Sequence, residues 1–237
     1  NITVILLTLD ITNEVLDEAI EKNINLIVVH HPVLFRSIKS IITDTYQGSM
    51  IEKILSHNVT VYVAHTNFDI SNYGMNQILA DMIGLQKQQV LDVTTDTEGL
   101  GRIGELETEV SLATFISQIK ALFQLDGVRI IGELDKMIST VAIAGGSGSS
   151  LITKALHSNV DVFLTGDISY HQALDAKNDG LTIVDIGHNI EKFALDGLKQ
   201  FLVGQDIDVP ITISKIDTNP FKFAIKKEEN SSFFNND

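Results

Sequence analysis

A chain of 237 residues and 26.0 kDa is long enough for one large domain or two small domains with an ample core. Its 17 basic and 31 acidic residues give a formal net charge of −14, which argues against nucleic acid as the main partner. Cysteine is absent, which excludes disulfides and thiolate ligands, so His, Asp and Glu must hold any bound metal. No apolar stretch reaches the ~20 residues that span a bilayer and no signal peptide is visible, so we predict a cytoplasmic protein without a membrane partner.

Strand-like and helix-like patterns alternate along the first third of the chain. Apolar runs predict strands over 2–9, 24–29 and 59–64, and amphipathic patterns predict helices over 13–20, 49–57 and 74–83. This order predicts right-handed crossovers and therefore a parallel sheet. The polar, glycine-rich segment 94–104 is the best candidate for a domain boundary.

The second half of the chain repeats the order of elements in the first half. Shifting the first half by 136 residues places strand 26–29 on 162–165 and His30-His31 on Gly166-Asp167. The other predicted elements of this half are helices over 111–123, 151–157 and 189–203, strands over 128–131, 141–144, 181–186 and 211–216, and a disordered polar tail from Lys226.

From this repeat we predict an α/β fold with two duplicated lobes, each a mostly parallel sheet flanked by helices. We assign residues 1–98 and 185–237 to the first lobe and residues 99–184 to the second. Ligands of open α/β sheets bind beyond the carboxyl ends of the strands. We therefore expect a metal-binding cleft between the lobes, where their strand ends face each other.

Two adjacent imidazoles, His30 and His31, end the buried strand 24–29, and Pro32 prevents the strand from continuing. Neighbouring residues of a strand point to opposite faces, so this pair does not easily serve one ion. The two side chains can instead each reach a different ion of a two-metal site. The alternative is that both are polar residues at a strand end, hydrogen-bonded to backbone or water.

Further ligand types follow two other predicted strands. Asp69 lies just beyond the strand 59–64, and His188 follows the strand 181–186. Glu191 comes three residues after His188, a spacing that puts both groups on one face of a helical turn. A carboxylate can bridge two cations, and nitrogen and oxygen ligands suit Zn, Mn or Fe. The convergence of these residues on one sheet edge predicts a dinuclear site with two divalent ions per chain.

Several of these motifs together resemble the GTP cyclohydrolase 1 type 2 homolog family, also called the Ngg-interacting-factor-3-like proteins. The resemblance runs in order from about Leu7 to Phe193 and rests on the segments LTLDITNEVLDEAIEKNINLIVVHHPVLF, AHTNFD, GLGRIGEL, AIAGGSGSSLI, FLTGDISYH and DIGHNIEKF. Family members usually contain an amino-terminal segment with a Trp-Asp-Asn motif, which is absent from this sequence. Some members carry a large inserted middle domain, and this chain corresponds to the short form.

The resemblance implies a dinuclear metal site, two intertwined lobes and a ring-shaped homohexamer. The metal ligands that it implies are His30, His31, Asp69, His188 and Glu191. The family name suggests hydrolysis of a nucleotide such as GTP, with water opening the imidazole ring of the purine. The alternatives are a metallohydrolase that acts on phosphoesters, and a metal-binding or interaction protein without catalysis.

Three further polar residues near these motifs are candidate catalytic groups. His65 precedes Asp69 by four residues, where it either supports the metal ligands or simply caps the strand. Asp167 and His171 lie at the equivalent strand end of the second lobe. Their i, i+4 spacing permits a role in substrate binding or proton transfer, and local helix capping by Asp167 is the alternative.

Two glycine-rich segments allow a second set of interpretations. The loop 145–150 joins a strand to a helix and could cradle phosphate, but it lacks the P-loop and dinucleotide fingerprints. A tight turn with serine capping is the simpler alternative. The segment 99–102 is interpreted as a hinge or a strand entry, with Arg102 as a possible anion contact.

Overall fold

The computed structural model describes residues 1–224 of the chain. Within this range the chain forms ten strands in two sheets. They are β1 (Ile5–Thr8), β2 (Leu26–Val29), β3 (Thr60–Val63), β4 (Gln86–Val93), β5 (Gly99–Ser111), β6 (Arg129–Ile131), β7 (Met137–Ser147), β8 (Val162–Gly166), β9 (Ile183–Asp185) and β10 (Ile211–Ile213). The predicted tail from Lys226 lies outside the described residues.

Eight α-helices and two 3-10 turns connect the strands of the described range. The helices are α1 (Asn13–Glu21), α2 (Tyr46–Ser56), α3 (Thr66–Ile70), α4 (Met75–Ile83), α5 (Leu112–Leu122), α6 (Ile152–His157), α7 (Tyr170–Asn178) and α8 (Ala194–Val203). The 3-10 turns cover Ser149–Leu151 and His188–Phe193. No helix among residues 1–224 is long and apolar enough to cross a membrane.

The first sheet has four strands in the order β10-β1-β2-β3, and all of its pairs are parallel. Its register aligns Thr8 with Val29 and Val29 with Val63, so the carboxyl ends of β1, β2 and β3 meet at one edge. Two apolar clusters cover its faces, which explains the continuous apolar sequence of β1 and β2. The predicted parallel sheet is therefore confirmed for this half of the chain.

The second sheet has six strands in the order β4-β5-β7-β8-β9-β6. Only β7-β8 and β8-β9 pair in parallel; the other three pairs are antiparallel. The prediction of a mostly parallel second sheet is thus wrong. The parallel unit β7-β8-β9 has the same neighbour order as β1-β2-β3, so the duplicated part is present, and β4, β5 and β6 add antiparallel strands around it.

The segment 94–104 is part of a hairpin rather than a gap between folding units. Residues 94–98 form the turn between β4 and β5, and both strands lie in the second sheet. The glycines of β5 permit close backbone approach: a Cβ at Gly104 would lie 2.7 Å from Cβ of Leu85. The second sheet therefore begins at Gln86, ahead of the predicted boundary at Gly99. The assignment of the lobes as domains stays a prediction.

Other differences concern short elements and element ends. Helices α3 and α7 and strand β4 were not predicted, and residues 145–147 continue β7 instead of forming a loop. Strand β1 begins three residues later than predicted, and β10 ends three residues earlier. Thr12 accepts a hydrogen bond from the Val15 N–H and caps α1, as the sequence predicts.

Candidate metal centre

The five predicted ligands come together at the carboxyl edges of the two sheets. His30 and His31 directly follow β2, and Asp69 lies on α3, just after β3. His188 and Glu191 begin the 3-10 turn that follows β9 in the second sheet. Residues at i and i+3 eclipse one another in a 3-10 turn, which brings this pair onto one side.

Potential ligand atoms form three overlapping groups, in each of which all atoms lie within 4.8 Å of one another. The groups are His31, His188 and Glu191; His30, Asp69 and Glu191; and His30, His31 and His65. The first two groups contain the five predicted ligands and share Glu191. A residue with two carboxylate oxygens can therefore serve both groups, as the bridging ligand of a two-ion site requires.

The spacing of the donor atoms matches that of ligands around a single ion. Nε2 of His31 lies 3.0 Å from Nε2 of His188 and 3.1 Å from Oε2 of Glu191. Nε2 of His30 lies 3.5 Å from Oδ1 of Asp69 and 3.7 Å from Oε1 of Glu191. Tetrahedral ligands at metal distances of about 2.0–2.1 Å are about 3.3 Å apart. Nε2 of His31, Nε2 of His188 and Oε2 of Glu191 can thus surround one cation. Nε2 of His30, Oδ1 of Asp69 and Oε1 of Glu191 can surround another.

The opposite nitrogen of each imidazole is held by a hydrogen-bond acceptor. Nδ1 of His30 contacts the Ala64 carbonyl oxygen at 2.8 Å, and Nδ1 of His31 contacts Oδ1 of Asp10 at 2.7 Å. Nδ1 of His188 lies 2.7 Å from Oδ2 of Asp167. With a cation bound, these acceptors would keep the proton on Nδ1 and let Nε2 direct its lone pair at the cation, as metal-binding histidines require.

Asp10 is a candidate site residue that sequence reasoning missed. It follows β1, whose parallel pairing with β2 places it beside His31. Its other carboxylate oxygen accepts a 2.5 Å hydrogen bond from the Thr218 hydroxyl. The available signal was its position just beyond a buried strand, at the sheet edge that also carries His30 and His31.

The site has the features expected where a cation binds. Oε2 of Glu191 is buried and accepts no hydrogen bond from the described residues, although imidazole nitrogens lie close to it. Gly146 has a φ of +62°, and a Cβ there would overlap Oε1 of Glu191 and lie 3.3 Å from Nε2 of His188. The absence of a side chain at Gly146 thus leaves the space that the Glu191 carboxylate occupies. We conclude that this set of nitrogen and oxygen ligands could hold metal.

Buried charge shifts the pKa values of the ligands. Burial alone would raise the pKa of Glu191, but the surrounding imidazoles of His188, His30 and His31 hold it well below its usual range. Burial raises the pKa of Asp69 to about 6 against the attraction of nearby His30. Glu191 is therefore ionised at neutral pH and provides the negative charge that two cations need.

The pKa values of His31 and His188 are both raised to about 9. Burial would lower the pKa of His31, but Asp10 and Glu191 raise it; for His188 the contact with Glu191 is the largest cause and outweighs burial. A proton is therefore retained at pH 7 between the Nε2 atoms of His31 and His188, which lie 3.0 Å apart.

Metal binding at pH 7 is expected to release protons, because a cation must replace the proton held between Nε2 of His31 and Nε2 of His188. Each displaced proton makes the apparent affinity rise about tenfold per pH unit between pH 7 and 9. Calorimetric Zn²⁺ titrations in two buffers of different ionisation enthalpy will measure the release. A binding enthalpy that is independent of the buffer at pH 7 would contradict this protonation state.

The candidate catalytic residues occupy different places. The His65 ring is half-buried, 5.0 Å from the His30 ring and 5.8 Å from the His31 ring, so it lies against the ligands. Burial, together with the charges of His30 and His31, lowers the pKa of His65. The exposed ring of His171 contacts Tyr170 and forms no hydrogen bond to a ligand within the described range.

Asp167 does not cap the following helix. Ser169 caps α7 through a capping box with Gln172, while the Asp167 carboxylate contacts His188. Asp167 has a φ of +58°, a left-handed conformation that is uncommon for residues other than glycine. The interpretation of Asp167 as a local helix cap is therefore wrong. Its carboxylate instead contacts Nδ1 of the candidate ligand His188.

The two glycine-rich segments have structural roles. Every N–H-bearing nitrogen of the Arg102 guanidinium donates to protein oxygen, with acceptors on Gln77, Gly99, Gly101, Ser71 and Asn72. This buried side chain is therefore not an anion contact. The Gly145 N–H donates to Oδ1 of Asn76, whose amide donates to the Asp69 carbonyl. These contacts favour tight packing of the segment 145–150 over a phosphate cradle.

Comparison with known proteins assigns this fold and site to one group. The chain belongs to the Duf34/NIF3 (NGG1p interacting factor 3) family, whose family model matches residues 1–220. A Streptococcus pneumoniae protein named GTP cyclohydrolase 1 type 2 homolog is 37% identical over 225 residues, covering 92% of this chain and 84% of that protein. The resemblance predicted from the motifs is thus confirmed.

Other relatives agree in fold and show the length variation of the family. A Bacillus cereus protein related to NIF3 has a TM-score of 0.90 at 28% identity, covering 94% of this chain and 90% of that chain. The Listeria innocua relative, also named GTP cyclohydrolase 1 type 2 homolog, is 30% identical over 332 residues, covering 93% of this chain and 89% of that protein. That alignment is longer than our chain, so the Listeria protein contains inserted residues.

Proposed function

We propose that this chain binds two divalent metal ions, Zn, Mn or Fe, and hydrolyses a nucleotide such as GTP. The observation that carries the proposal is the sharing of Glu191 by two ligand groups, one with His31 and His188 and the other with His30 and Asp69. The names of the relatives, GTP cyclohydrolase 1 type 2 homolog, support the choice of nucleotide.

Bound divalent cations at such a site lower the pKa of water and polarise a substrate oxygen. The chain contributes the orientation of the ligands: Asp10 holds the His31 ring and Asp167 holds the His188 ring. The His65 ring lies beside both His30 and His31, which suits contact with a substrate at the centre. His171 has no part in this proposal.

A cavity of about 320 Å³ borders the centre at His188 and Asp167. Its walls contain aromatic, cationic and amide side chains: Phe123, Phe193, Phe221, Phe223, Arg129, Lys192, Asn189 and Asn219. A nucleotide has a flat aromatic base for the phenylalanines, polar edges for the amides and phosphates for the cations. The cavity therefore supports a nucleotide as the substrate class.

Metal analysis tests the two-ion arrangement first. The intact protein is expected to hold two ions, while His30→Ala and His31→Ala are each expected to hold one, because the rings belong to different groups. Equilibrium dialysis followed by elemental analysis gives the stoichiometry, and His57→Ala, on an exposed helix end, is the matched control. One ion in the intact protein, or loss of both ions in both variants, would be incompatible with this assignment.

A substrate screen then separates catalysis from storage. The loaded protein is assayed with GTP, other nucleotides and p-nitrophenyl phosphate, with the Glu191→Gln variant as the control that lacks a bridging carboxylate. Turnover of GTP that depends on metal supports the proposal. Turnover of the phosphoester alone would indicate a phosphoester metallohydrolase, and the absence of turnover with both ions bound would favour a metal-binding protein without catalysis.

We also propose the homohexamer that the family resemblance implies; its cytoplasmic location stays a prediction. Exposed apolar side chains are concentrated between β2 and α2, at Leu34, Phe35, Ile38, Ile41, Ile42 and Tyr46, and such clusters are typical of protein interfaces. Light scattering of the metal-loaded protein is expected to give six times 26.0 kDa. A monomer at micromolar concentration would exclude the hexamer.

A further inference from the structure

The turns that carry Asp167 and His188 are joined by a buried carboxylate that is not itself a candidate ligand. Asp185 ends β9 and is 5% exposed. Its Oδ2 accepts the Ile168 N–H at 3.0 Å, and its Oδ1 accepts the Gly187 N–H at 3.0 Å. These two amides immediately follow Asp167 and immediately precede His188, so one carboxylate fixes both turns.

Arg129 completes this connection from the neighbouring strand. The antiparallel register of β6 and β9 places Arg129 opposite Asp185, and the guanidinium Nη2 donates to Oδ2 of that carboxylate. The same nitrogen donates to the Ile168 carbonyl oxygen at 2.8 Å. Ile168 is therefore held at its N–H by Asp185 and at its carbonyl by Arg129.

The turn at Asp167 has a backbone conformation that needs such support. Asp167 has a φ of +58°, whereas Gly187, with a φ of +81°, adopts this region freely because it has no side chain. A left-handed conformation at a residue with a side chain is unfavourable, so it persists only where the surroundings hold it. In this conformation Asp167 reaches Nδ1 of His188 at 2.7 Å. The direction of the His188 lone pair thus depends on the position of both turns.

We propose that Asp185, supported by Arg129, is a positioning residue for one of the two ions, the one bound by His31, His188 and Glu191. The proposal rests on the proposed two-ion site. His30 and Asp69 follow strands of the other sheet and have no hydrogen bond to Asp185. Loss of the Asp185 carboxylate is therefore expected to affect the two ions unequally.

The test compares Asp185→Asn with the matched control Asp161→Asn. The Asp161 carboxylate also accepts two backbone N–H groups of the second sheet, from Ser139 at 2.9 Å and Thr140 at 2.8 Å. It lies at the start of β8, at the edge opposite the metal centre. Asp185→Asn is expected to lower the affinity for one ion by about 10- to 100-fold, as losses of outer hydrogen-bond partners do, and to leave the affinity for the other ion unchanged. Asp161→Asn is expected to lower the thermal midpoint and keep both affinities.

Double variants identify which ion is affected. After dialysis against limiting Zn²⁺, His31→Ala/Asp185→Asn is expected to keep one ion, because both changes weaken binding of the same ion. His30→Ala/Asp185→Asn is expected to keep none, because the two changes weaken binding of different ions. Arg129→Gln, at a side chain that is 64% exposed, should show the same selectivity if Asp185→Asn folds poorly. Two unchanged affinities, or equal weakening of both ions, in Asp185→Asn and Arg129→Gln would overturn the assignment. If the intact protein does not bind two ions, the proposed function fails instead.

Discussion

Glu191→Gln is expected to remove both metal ions from the protein. The carboxylate belongs to both ligand groups, and no other residue is common to the groups that contain the five predicted ligands. An amide is neutral, so it neither bridges two cations nor balances their charge. We expect each affinity to fall by more than about 100-fold, beyond the effect of losing an outer partner. Competition with a chromophoric chelator measures both affinities.

A second buried glutamate provides the matched control. Glu18 is 8% exposed and joins Lys22 to the Ser214 hydroxyl, with both contacts at 2.5 Å, away from the metal centre. Glu18→Gln is expected to lower the free energy of unfolding but to keep two ions. If Glu191→Gln, with native circular dichroism, still binds one ion tightly, then Glu191 is not a bridging ligand.

Gly146→Ala is expected to abolish metal binding through a single methyl group. The new Cβ would overlap Oε1 of Glu191 and lie 3.1 Å from its Cδ, so the carboxylate must leave its position between the imidazoles. The backbone cannot move away easily, because Gly146 is buried within β7. Elemental analysis after dialysis is expected to find less than one ion per chain.

Gly180→Ala separates this steric effect from backbone strain. Gly180 has a φ of +82°, comparable to the +62° of Gly146, but a Cβ there meets nothing within 4 Å. The control carries the cost of a left-handed alanine, about 1–2 kcal/mol, without a clash. It should lose stability and retain both ions. Equal metal content in the two variants would show that Gly146 has no role in shaping the site.

Elements with strong apolar periodicity were predictable from the sequence, whereas β5 was not. The parallel strands β1, β2 and β8 are short and mostly apolar, which indicates strands buried on both faces. Strand β5 instead contains three glycines and four charged residues, the composition of a linker. Its glycines reflect close packing against β4 and β7, which depends on tertiary contacts that local sequence does not specify.

The clustering of the five candidate ligands was predictable, because metal-binding side chains at strand ends have few common alternatives. The contacts of Asp10 and Asp185 were not predictable, since strand pairing brings each carboxylate to its hydrogen-bond partner. Asp10 lies beside His31 only because β1 and β2 are parallel neighbours, and Asp185 meets Arg129 only through an antiparallel register. The proposed role of His171 stays a prediction, since its exposed ring contacts Tyr170 and the spacing from Asp167 does not fix where it points.

The division of the ligands between the two sheets determines the order of events as the protein is synthesised. His30, His31 and Asp69 come from the amino-terminal sheet, while His188 and Glu191 follow β9 near the end of the second. A nascent chain that has not yet emerged past residue 191 therefore lacks the shared carboxylate and one imidazole. Since ions bind tightly only to the folded state, we expect any metal loading to follow translation of both halves.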